Sequence, residues 1–209
     1  MATVTPTQPT SCSPPPARDE FYRLTVAQFD QMIRTATLRE DEAVELLNGI
    51  LVNKMPKNAP HRVATLKTAR ALEQVLPAEW IVQKEEAIVV LPGTKFEPDI
   101  AIVRSELEFD PSRDAMAADC CLVVEVADTN SFPRSEKLPI VARAGIPVYW
   151  VVKLAPETMP STPRVEVYTD PDQDAGRYST RVDLYAGENV PVVINGHELG
   201  QIAVADLLP

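Results

Sequence analysis

The chain has 209 residues, of which 45% are apolar, and its formal net charge is −10. This size and composition suit one globular domain with a sizeable core. The acidic balance argues against broad non-specific affinity for nucleic acid, although it leaves room for a local basic groove. No apolar run approaches the roughly 20 residues that cross a bilayer, so the sequence predicts a soluble protein.

The first 20 residues are rich in proline, threonine and serine, which predicts a disordered arm, followed by a single domain over residues 21–209. The arm lacks the basic start and apolar segment of a secretory signal. The three cysteines, two of them adjacent in a predicted strand, make neither a disulfide framework nor a zinc site. A reducing, cytoplasmic setting is expected.

The first elements of the domain are predicted to be a helix, a hairpin and a second helix. LTVAQFDQMIRTA has Thr25 as its N-cap, and VELLNGILVN has the hairpin signal Asn48-Gly49 at its centre. PHRVATLKTARALEQVL has the spacing of an amphipathic helix. Its buried face is predicted to consist of Val63, Leu66, Ala69, Leu72 and Leu76.

Strands dominate the rest of the chain. WIVQKEEAIVVL, PDIAIV, CCLVVEVA and VYWVV each predict one strand, and RVEVY begins a further β-rich region that ends in ADLLP. TNSFPRSEKLPIVARAGI is expected to contain a helix with Pro139 in its first turn and Gly145 at its C-terminal cap. This order predicts an α/β domain around one mixed sheet.

Three carboxylates stand out because they occur on apolar elements. Glu125 interrupts the buried strand CCLVVEVA, Asp99 follows Pro98 at the start of PDIAIV, and Glu45 lies in the first hairpin strand. An ionised carboxylate in such a place costs several kcal/mol unless a neighbour compensates for it. If the strands lie side by side, Mg²⁺ or Mn²⁺ would relieve the repulsion between the three groups.

A lysine completes a hydrolytic set. Lys137 follows Glu125 by 12 residues, near the start of the next helix. An ammonium group there can orient an attacking water or stabilise developing charge. Together with a divalent cation, these residue types predict phosphodiester hydrolysis.

The stretches that carry these residues resemble the Uma2 family (DUF820), whose members are described as restriction endonucleases. The resemblance is in EPD at 97–99, VVEVADTN at 123–130, RSEK and AGIPVYWVV, and extends to LTVAQFD, the ELLNG hairpin, His61 before its helix and RVEVY. It covers the chain from about Tyr22 to its end. It implies the PD-(D/E)XK restriction-endonuclease-like fold, with a mixed central sheet flanked by helices, an N-terminal hairpin and a β-rich C-terminal segment.

The resemblance also implies roles for individual residues. Asp99 and Glu125 would be metal ligands, with the Val126 carbonyl as a third. The lysine usual two residues after the second acid is absent, because Ala127 stands there, and Lys137 would replace it from the following helix. Glu45 would bind or orient a second metal or a water.

Two positions depart from the family pattern. Pro133 and Asn48 stand where members often carry aspartate. Neither belongs to the proposed ligands, but Pro133 precedes Lys137 and affects how that side chain is presented.

Each residue also has a simpler interpretation. Asp99 is suited to a strand entry, Glu125 to pairing with a core arginine such as Arg143, and Lys137 and Glu45 to solvated surfaces. His61 is expected near the surface at a helix start, with phosphate contact as the alternative, and His197 is expected at the surface. The joint occurrence of the two acids, Glu45 and Lys137 favours a metal site.

Three functions remain open. The first is a Mg²⁺- or Mn²⁺-dependent endonuclease that cuts DNA, acting as a homodimer by analogy with its fold. The second is a nuclease-like scaffold that binds a partner without catalysis. The third is a hydrolase of small phosphodiesters, which suits the acidic composition better because no polyanion has to bind.

Overall fold

A computed structural model of the chain describes residues 21–39, 41–127, 132–154 and 162–209, except for the side chains of residues 132–135. The α-helices are α1 (Val26–Arg34), α2 (Ala59–Glu73), α3 (Phe132–Arg143) and α4 (Val204–Leu207). The strands are β1 (Val44–Leu47), β2 (Ile50–Asn53), β3 (Trp80–Lys84), β4 (Ile88–Leu91), β5 (Thr94–Phe96), β6 (Ile100–Arg104), β7 (Ala115–Met116), β8 (Cys120–Ala127), β9 (Val148–Lys153), β10 (Arg164–Asp172), β11 (Arg177–Tyr185), β12 (Asn189–Ile194) and β13 (His197–Ala203). The predicted arm, residues 1–20, lies outside the described residues.

A six-stranded sheet in the order β11-β10-β9-β8-β6-β3 forms the centre of the fold. β8 and β9 run parallel, and α3 lies in the crossover connection that a parallel pair requires. The other neighbouring strands are antiparallel, so the sheet is mixed. The predicted α/β fold with a mixed central sheet is therefore confirmed.

The central strand β8 is buried along its whole length, which explains its nearly continuous apolar sequence. Val124 packs in a core cluster with Leu72 of α2. Val123 belongs to a second cluster, which contains Ile140 of α3. α2 and α3 therefore cover opposite faces of the sheet. Because side chains alternate along a strand, Glu125 lies on the same face as Val123 and is directed toward α3.

The prediction of one sheet is wrong, because the described strands form three. A five-stranded sheet in the order β2-β1-β5-β4-β7 contains the Asn48-Gly49 hairpin, which is confirmed, and β12 and β13 form a separate pair. The segment WIVQKEEAIVVL is divided between β3 in the central sheet and β4 in the five-stranded sheet. Glu85 lies between them with φ +57°, a left-handed conformation that ends an extended strand.

The helices confirm some of the sequence signals and contradict others. Thr25 caps α1 and forms a capping box with Gln28, as its N-cap role predicted. The predicted buried face of α2 is wrong in part, because Val63 and Leu66 are 37% and 41% exposed. The buried side of α2 instead consists of His61, Ala64, Thr65, Thr68, Ala69 and Leu72. Short side chains on this side allow the helix to pack closely on the sheet.

α3 departs from its prediction at Pro139, which lies inside the helix rather than in the first turn. A proline there removes one backbone hydrogen bond. The next residues, Ile140 and Val141, are fully buried in the core, so tertiary packing maintains the helix across this defect. Gly145 has φ +75° just beyond the helix, consistent with its predicted capping role.

The C-terminal segment is rich in strands, as predicted. β10 and β11 extend the central sheet, and β12, β13 and α4 follow. α4 packs against α2. Among the described residues, no helix has the length and apolar character needed to span a bilayer.

Gly49 in the β1–β2 turn should resist substitution for two separable reasons. Its φ is +77°, and an added Cβ would lie 2.7 Å from the Cβ of Arg23. Gly49→Ala should therefore lower the free energy of unfolding by more than the about 1–2 kcal/mol that a left-handed alanine costs. Gly196→Ala is the matched control, because Gly196 has φ +79° in open space. Equal losses for both variants in urea denaturation would show that the steric contact is unimportant.

Candidate functional site

The Lys137 ammonium group lies between two of the predicted carboxylates. Its Nζ donates to Glu45 at 3.1 Å and to Glu125 Oε1 at 3.1 Å. Glu45 comes from β1, Glu125 from β8 and Lys137 from α3. The three side chains are almost fully buried. They therefore form one charged cluster, which joins the five-stranded sheet, the central sheet and a helix.

The surroundings of Lys137 keep its ammonium group protonated. Burial alone would lower the pKa of Lys137, but the carboxylates of Glu125 and Glu45 outweigh it and raise the pKa above its usual value. The ammonium group also lies 4.6 Å from the centroid of the Phe96 ring, which favours a cation. Lys137 can therefore donate hydrogen bonds and positive charge but is unsuited to accept a proton.

Asp99 forms a second cluster at the start of β6. Its Oδ2 accepts a hydrogen bond from the backbone N–H of Val126 at 2.7 Å and lies 3.2 Å from Nε2 of His61. Its Oδ1 lies 3.0 Å from Nζ of Lys57, which also contacts Glu85 at 2.9 Å. Asp99 and His61 are both buried. The carboxylate of Asp99 is thus held by the backbone of β8 and by residues in and just before the first turn of α2.

These contacts stabilise the ionised form of Asp99. Burial raises the pKa of this carboxyl group, but the hydrogen bond and charge of His61, the charge of Lys57 and the Val126 amide together lower it to about 2. Asp99 in turn raises the pKa of Lys57 above its usual value, against the effect of burial. The site therefore holds the Asp99 carboxylate in its ionised form without exposing it to solvent.

Asp99 and Glu125 belong to neighbouring strands. Ile100 pairs with Val124 in the antiparallel register of β6 and β8, and the next step of that register brings Asp99 opposite Glu125. Their side-chain partners come from different sides, because Lys57 and His61 lie in or next to α2 and Lys137 lies in α3. The two clusters meet where β6 begins, at Glu125 and Val126.

The structure brings Glu45, Glu125 and Lys137 into contact, while Asp99 lies in the neighbouring cluster with partners from the α2 side. Glu45 lies in the five-stranded sheet rather than beside Asp99 and Glu125, and reaches Glu125 through Lys137. The solvated interpretations of Glu45 and Lys137 are wrong, since both are buried. The expectation of a surface position is also wrong for His61 and confirmed for the exposed His197.

Sequence reasoning missed the residues that compensate these charges. Lys57 forms an ion pair with Asp99, and His61 lies within hydrogen-bond distance of the same carboxylate. The Phe96 ring lies beside the Lys137 ammonium group. The only signal for Lys57 was its position just before the helix N-cap Asn58. Two lysines and a histidine contact the buried carboxylates, so protein side chains supply compensation that the sequence analysis had expected from a divalent cation.

The donor set nevertheless has the chemistry of a site for Mg²⁺ or Mn²⁺. Asp99, Glu125 and the Val126 carbonyl supply oxygen atoms, the ligands that these ions prefer. Within the described parts of the chain, no group of three or more His, Cys, Asp or Glu side chains is arranged to hold a metal ion. Two carboxylates suffice for Mg²⁺, which completes its shell with water and substrate oxygens.

Two residues depart from the family pattern and lie near site residues in the sequence, Asn48 near Glu45 and Pro133 near Lys137. Asn48 has φ +49° in the β1–β2 turn, a conformation that asparagine tolerates, and its carbonyl accepts a hydrogen bond from Arg23 at 2.9 Å. Pro133 is the second residue of α3. Its side chain lies outside the described part of the structure.

Comparison with known proteins identifies the family. The model of the Uma2 family, described as "Putative restriction endonuclease", matches residues 26–200. The fold resembles the crystal structure of a protein from Anabaena variabilis ATCC 29413, described as a putative nuclease belonging to DUF820. That similarity has a TM-score of 0.63 at 15% sequence identity and covers 88% of this chain and 97% of the other. No curated protein matches the sequence.

Removing the ammonium group at the centre of the site should destabilise the fold strongly. Lys137→Met leaves Glu45 and Glu125 buried without their cation, which should lower the free energy of unfolding by about 3–5 kcal/mol. Lys95→Met is the matched control, because Lys95 also bridges two carboxylates, Asp30 and Asp114, but its partners are 27% and 39% exposed. Chemical denaturation should show a clearly smaller loss for the control, and equal losses would contradict the role assigned to Lys137.

The low pKa of Asp99 predicts a loss of stability in acid. Its pKa is about 2 in the fold against an ordinary value of 3.8. A lowered pKa contributes stability that is present above about pH 4 and lost as the pH falls toward about 2. At about 1.4 kcal/mol per pKa unit, this contribution is about 2 kcal/mol. Asp99→Asn should be less stable than the wild type by about this amount at pH 6, and urea denaturation should show the difference shrinking below pH 4. A difference that stays constant with pH would contradict the assignment.

Proposed function

This chain belongs to the Uma2 family, and we propose that it is a divalent-metal-dependent endonuclease that hydrolyses DNA phosphodiester bonds. The observation that carries the proposal is that Glu45, Glu125 and Lys137 form one buried charged cluster, while Asp99, held by the N–H of Val126, lies at the start of the strand next to Glu125. All four charged side chains are buried although they come from separate segments. The family description supports phosphodiester cleavage as their use.

In the proposed site, Asp99, Glu125 and the Val126 carbonyl hold Mg²⁺ or Mn²⁺. The ion, when bound, lowers the pKa of a bound water and stabilises negative charge on the phosphodiester. The N–H of Val126 fixes the orientation of Asp99 through its 2.7 Å hydrogen bond. Ionised Asp99 is ready to bind a cation at neutral pH, because its pKa lies near 2.

Lys137 acts as a donor in this proposal. Its ammonium group stays protonated, so it orients the attacking water through a hydrogen bond or stabilises charge on a phosphate oxygen. Glu45 keeps the ammonium group in place through its 3.1 Å contact. The backbone N–H of Glu97 donates to Glu45 at 3.1 Å and fixes that carboxylate in turn. Glu45 therefore positions Lys137, and a role in holding a second metal or a water is not needed to explain its burial.

His61 contributes through Asp99 in this arrangement. It is 2% exposed, and its Nε2 lies on the Asp99 carboxylate rather than at the surface. A direct phosphate contact, the alternative considered from the sequence, is therefore not part of the proposal. A homodimer in the cytoplasm is part of it, by analogy with enzymes of this fold that cut both strands.

A second candidate is a nuclease-like protein that binds a partner without catalysis. The internal neutralisation of the carboxylates by Lys57, His61 and Lys137 favours it, because these charges are stable in the fold without a metal ion. In that case Lys137 has a purely structural role. Metal binding and cleavage distinguish the two candidates.

The test is nicking of supercoiled plasmid and cleavage of single-stranded DNA with Mn²⁺ or Mg²⁺. Glu125→Gln should lower the cleavage rate by at least about 100-fold, because it removes a ligand and a charge at the reacting centre. Asp30→Asn, an acid that pairs with Lys95 away from these residues, is the control and should cleave like the wild type.

Titration with Mn²⁺ provides a second readout that does not depend on turnover. Asp99→Asn and Glu125→Gln should each weaken Mn²⁺ binding, measured by calorimetry, while urea denaturation checks that the variants fold. Absence of both Mn²⁺ binding and cleavage in the wild type would favour the non-catalytic candidate. Nicking that persists unchanged in Glu125→Gln would overturn the assignment of the site.

A further inference from the structure

One segment of this acidic chain is strongly basic. Residues 54–72 contain five lysines and arginines and no aspartate or glutamate, whereas the whole chain has 20 basic and 30 acidic residues. The remainder of the chain therefore carries twice as many acidic as basic side chains. The segment consists of most of α2 and the residues that lead into it. Lys54 and Lys57 are ion-paired with carboxylates, which leaves Arg62, Lys67 and Arg70 of α2 as the basic residues of interest.

The charges in α2 lie on its solvent side. One face of the helix is exposed to solvent. Residues one, four, five and eight positions after Arg62 share this face with it, so its members are Arg62, Val63, Leu66, Lys67 and Arg70. The opposite face packs against the central sheet through residues such as Ala64 and Leu72. We call these five exposed residues the α2 face. With 15 residues, the helix is about 22 Å long.

The basic side chains of the α2 face are not neutralised within the described structure. None of Arg62, Lys67 and Arg70 forms an ion pair with a carboxylate among the described residues. Lys67 donates a hydrogen bond to the backbone carbonyl of Leu208, which leaves its charge unpaired. Two acidic residues lie near these charges, the exposed Glu73 at the end of α2, three residues after Arg70, and Asp206 in the neighbouring helix α4. Neither forms an ion pair among the described residues.

The basic side chains on β10 and β11 differ from those of the α2 face because they are ion-paired with carboxylates. Arg164 and Arg181, on β10 and β11, each form ion pairs with Glu166 and Asp183 at 2.6–3.1 Å. Their charge is compensated inside the sheet. The α2 face is therefore better suited to attract an external polyanion.

The α2 face begins at the candidate site. His61 in the first turn of α2 and Lys57 just before the helix both contact Asp99. Arg62 follows His61 directly in the chain. A polyanion that lies along the helix would therefore have one end at the carboxylates of the site.

We propose that the α2 face binds the phosphate backbone of duplex nucleic acid, with Arg62, Lys67 and Arg70 as phosphate contacts. The choice of polyanion rests on the proposed nuclease function. At about 3.4 Å per phosphate along one strand, the helix spans about six phosphates. The net charge of −10 does not oppose this binding, because the basic side chains are segregated on one face and the chain's acidic excess lies elsewhere in the sequence. Val63 and Leu66 contact the backbone sugars between the charged groups.

The test is the salt dependence of duplex binding, measured by fluorescence anisotropy with a labelled duplex of about 20 base pairs. EDTA is present throughout, so binding is read without metal or cleavage. The variant is Arg62→Gln/Lys67→Gln/Arg70→Gln. The matched control is Arg34→Gln/Arg39→Gln/Arg177→Gln, which removes the same charge from exposed positions outside α2. Thermal melts check that both triple variants fold.

Each lost phosphate contact should reduce the slope of log K against log salt by about 0.9. The α2 variant should therefore lose about 2.7 from the wild-type slope, and the control should keep it. Between about 50 and about 200 mM KCl, the wild-type affinity should fall about 40-fold more than that of the α2 variant.

Two results would overturn the proposal. One is that the α2 variant and the control bind the duplex alike. The other is that polyglutamate of equal charge binds the wild type as tightly as the duplex does, which would indicate an acidic protein partner. A different result would contradict the nuclease proposal alone. In that case the duplex would bind through the α2 face but would not be cleaved when Mn²⁺ is added.

Discussion

The candidate site depends on one buried ammonium group that satisfies carboxylates from two different sheets. Lys137 brings positive charge from α3 to Glu45 of the five-stranded sheet and Glu125 of the central sheet. Neither acid tolerates burial without that partner, and the ammonium group is equally costly to bury alone. The relative position of the two sheets and α3 is therefore fixed by electrostatics as well as by apolar packing. A comparable arrangement holds Asp99 between Lys57, His61 and the backbone of β8.

Site chemistry was partly predictable because charge in an apolar context is an anomaly in sequence. Glu125, Asp99 and Glu45 could be found in this way, and Lys137 followed from its position 12 residues after Glu125. The assignment of individual metal ligands, including the Val126 carbonyl, came from the family resemblance. The partners Lys57 and His61 could not be assigned, since they approach Asp99 only after α2 has packed on the sheet. Local patterns also failed at Glu85. The sequence predicted one strand there, but Glu85 has a positive φ and separates two strands. In α2, Thr65 and Thr68 are buried although polar side chains usually indicate the solvent side.

Average charge is a poor guide to the surfaces of this molecule. Within the described parts of the chain, several basic side chains are engaged in ion pairs, such as those of Lys95, Arg113 and Arg181. α2 differs because the charges of Arg62, Lys67 and Arg70, within the acid-free stretch 54–72, are exposed to solvent. The electrostatic potential near a surface depends on such local segregation over distances of about 10 Å, beyond which salt screens it.

The order of these residues along the chain constrains how the protein can fold. Glu45, Asp99 and Glu125 all precede Lys137, and β8 acquires its neighbour β9 only after α3 has been made. During synthesis, the first 127 residues contain two acids whose shared cation has not yet emerged. Closing the two sheets over them at that stage would trap uncompensated charge, so the N-terminal portion has reason to stay open until α3 docks. Charge in this part of the core is therefore balanced only once Lys137, 12 residues beyond Glu125, is in place.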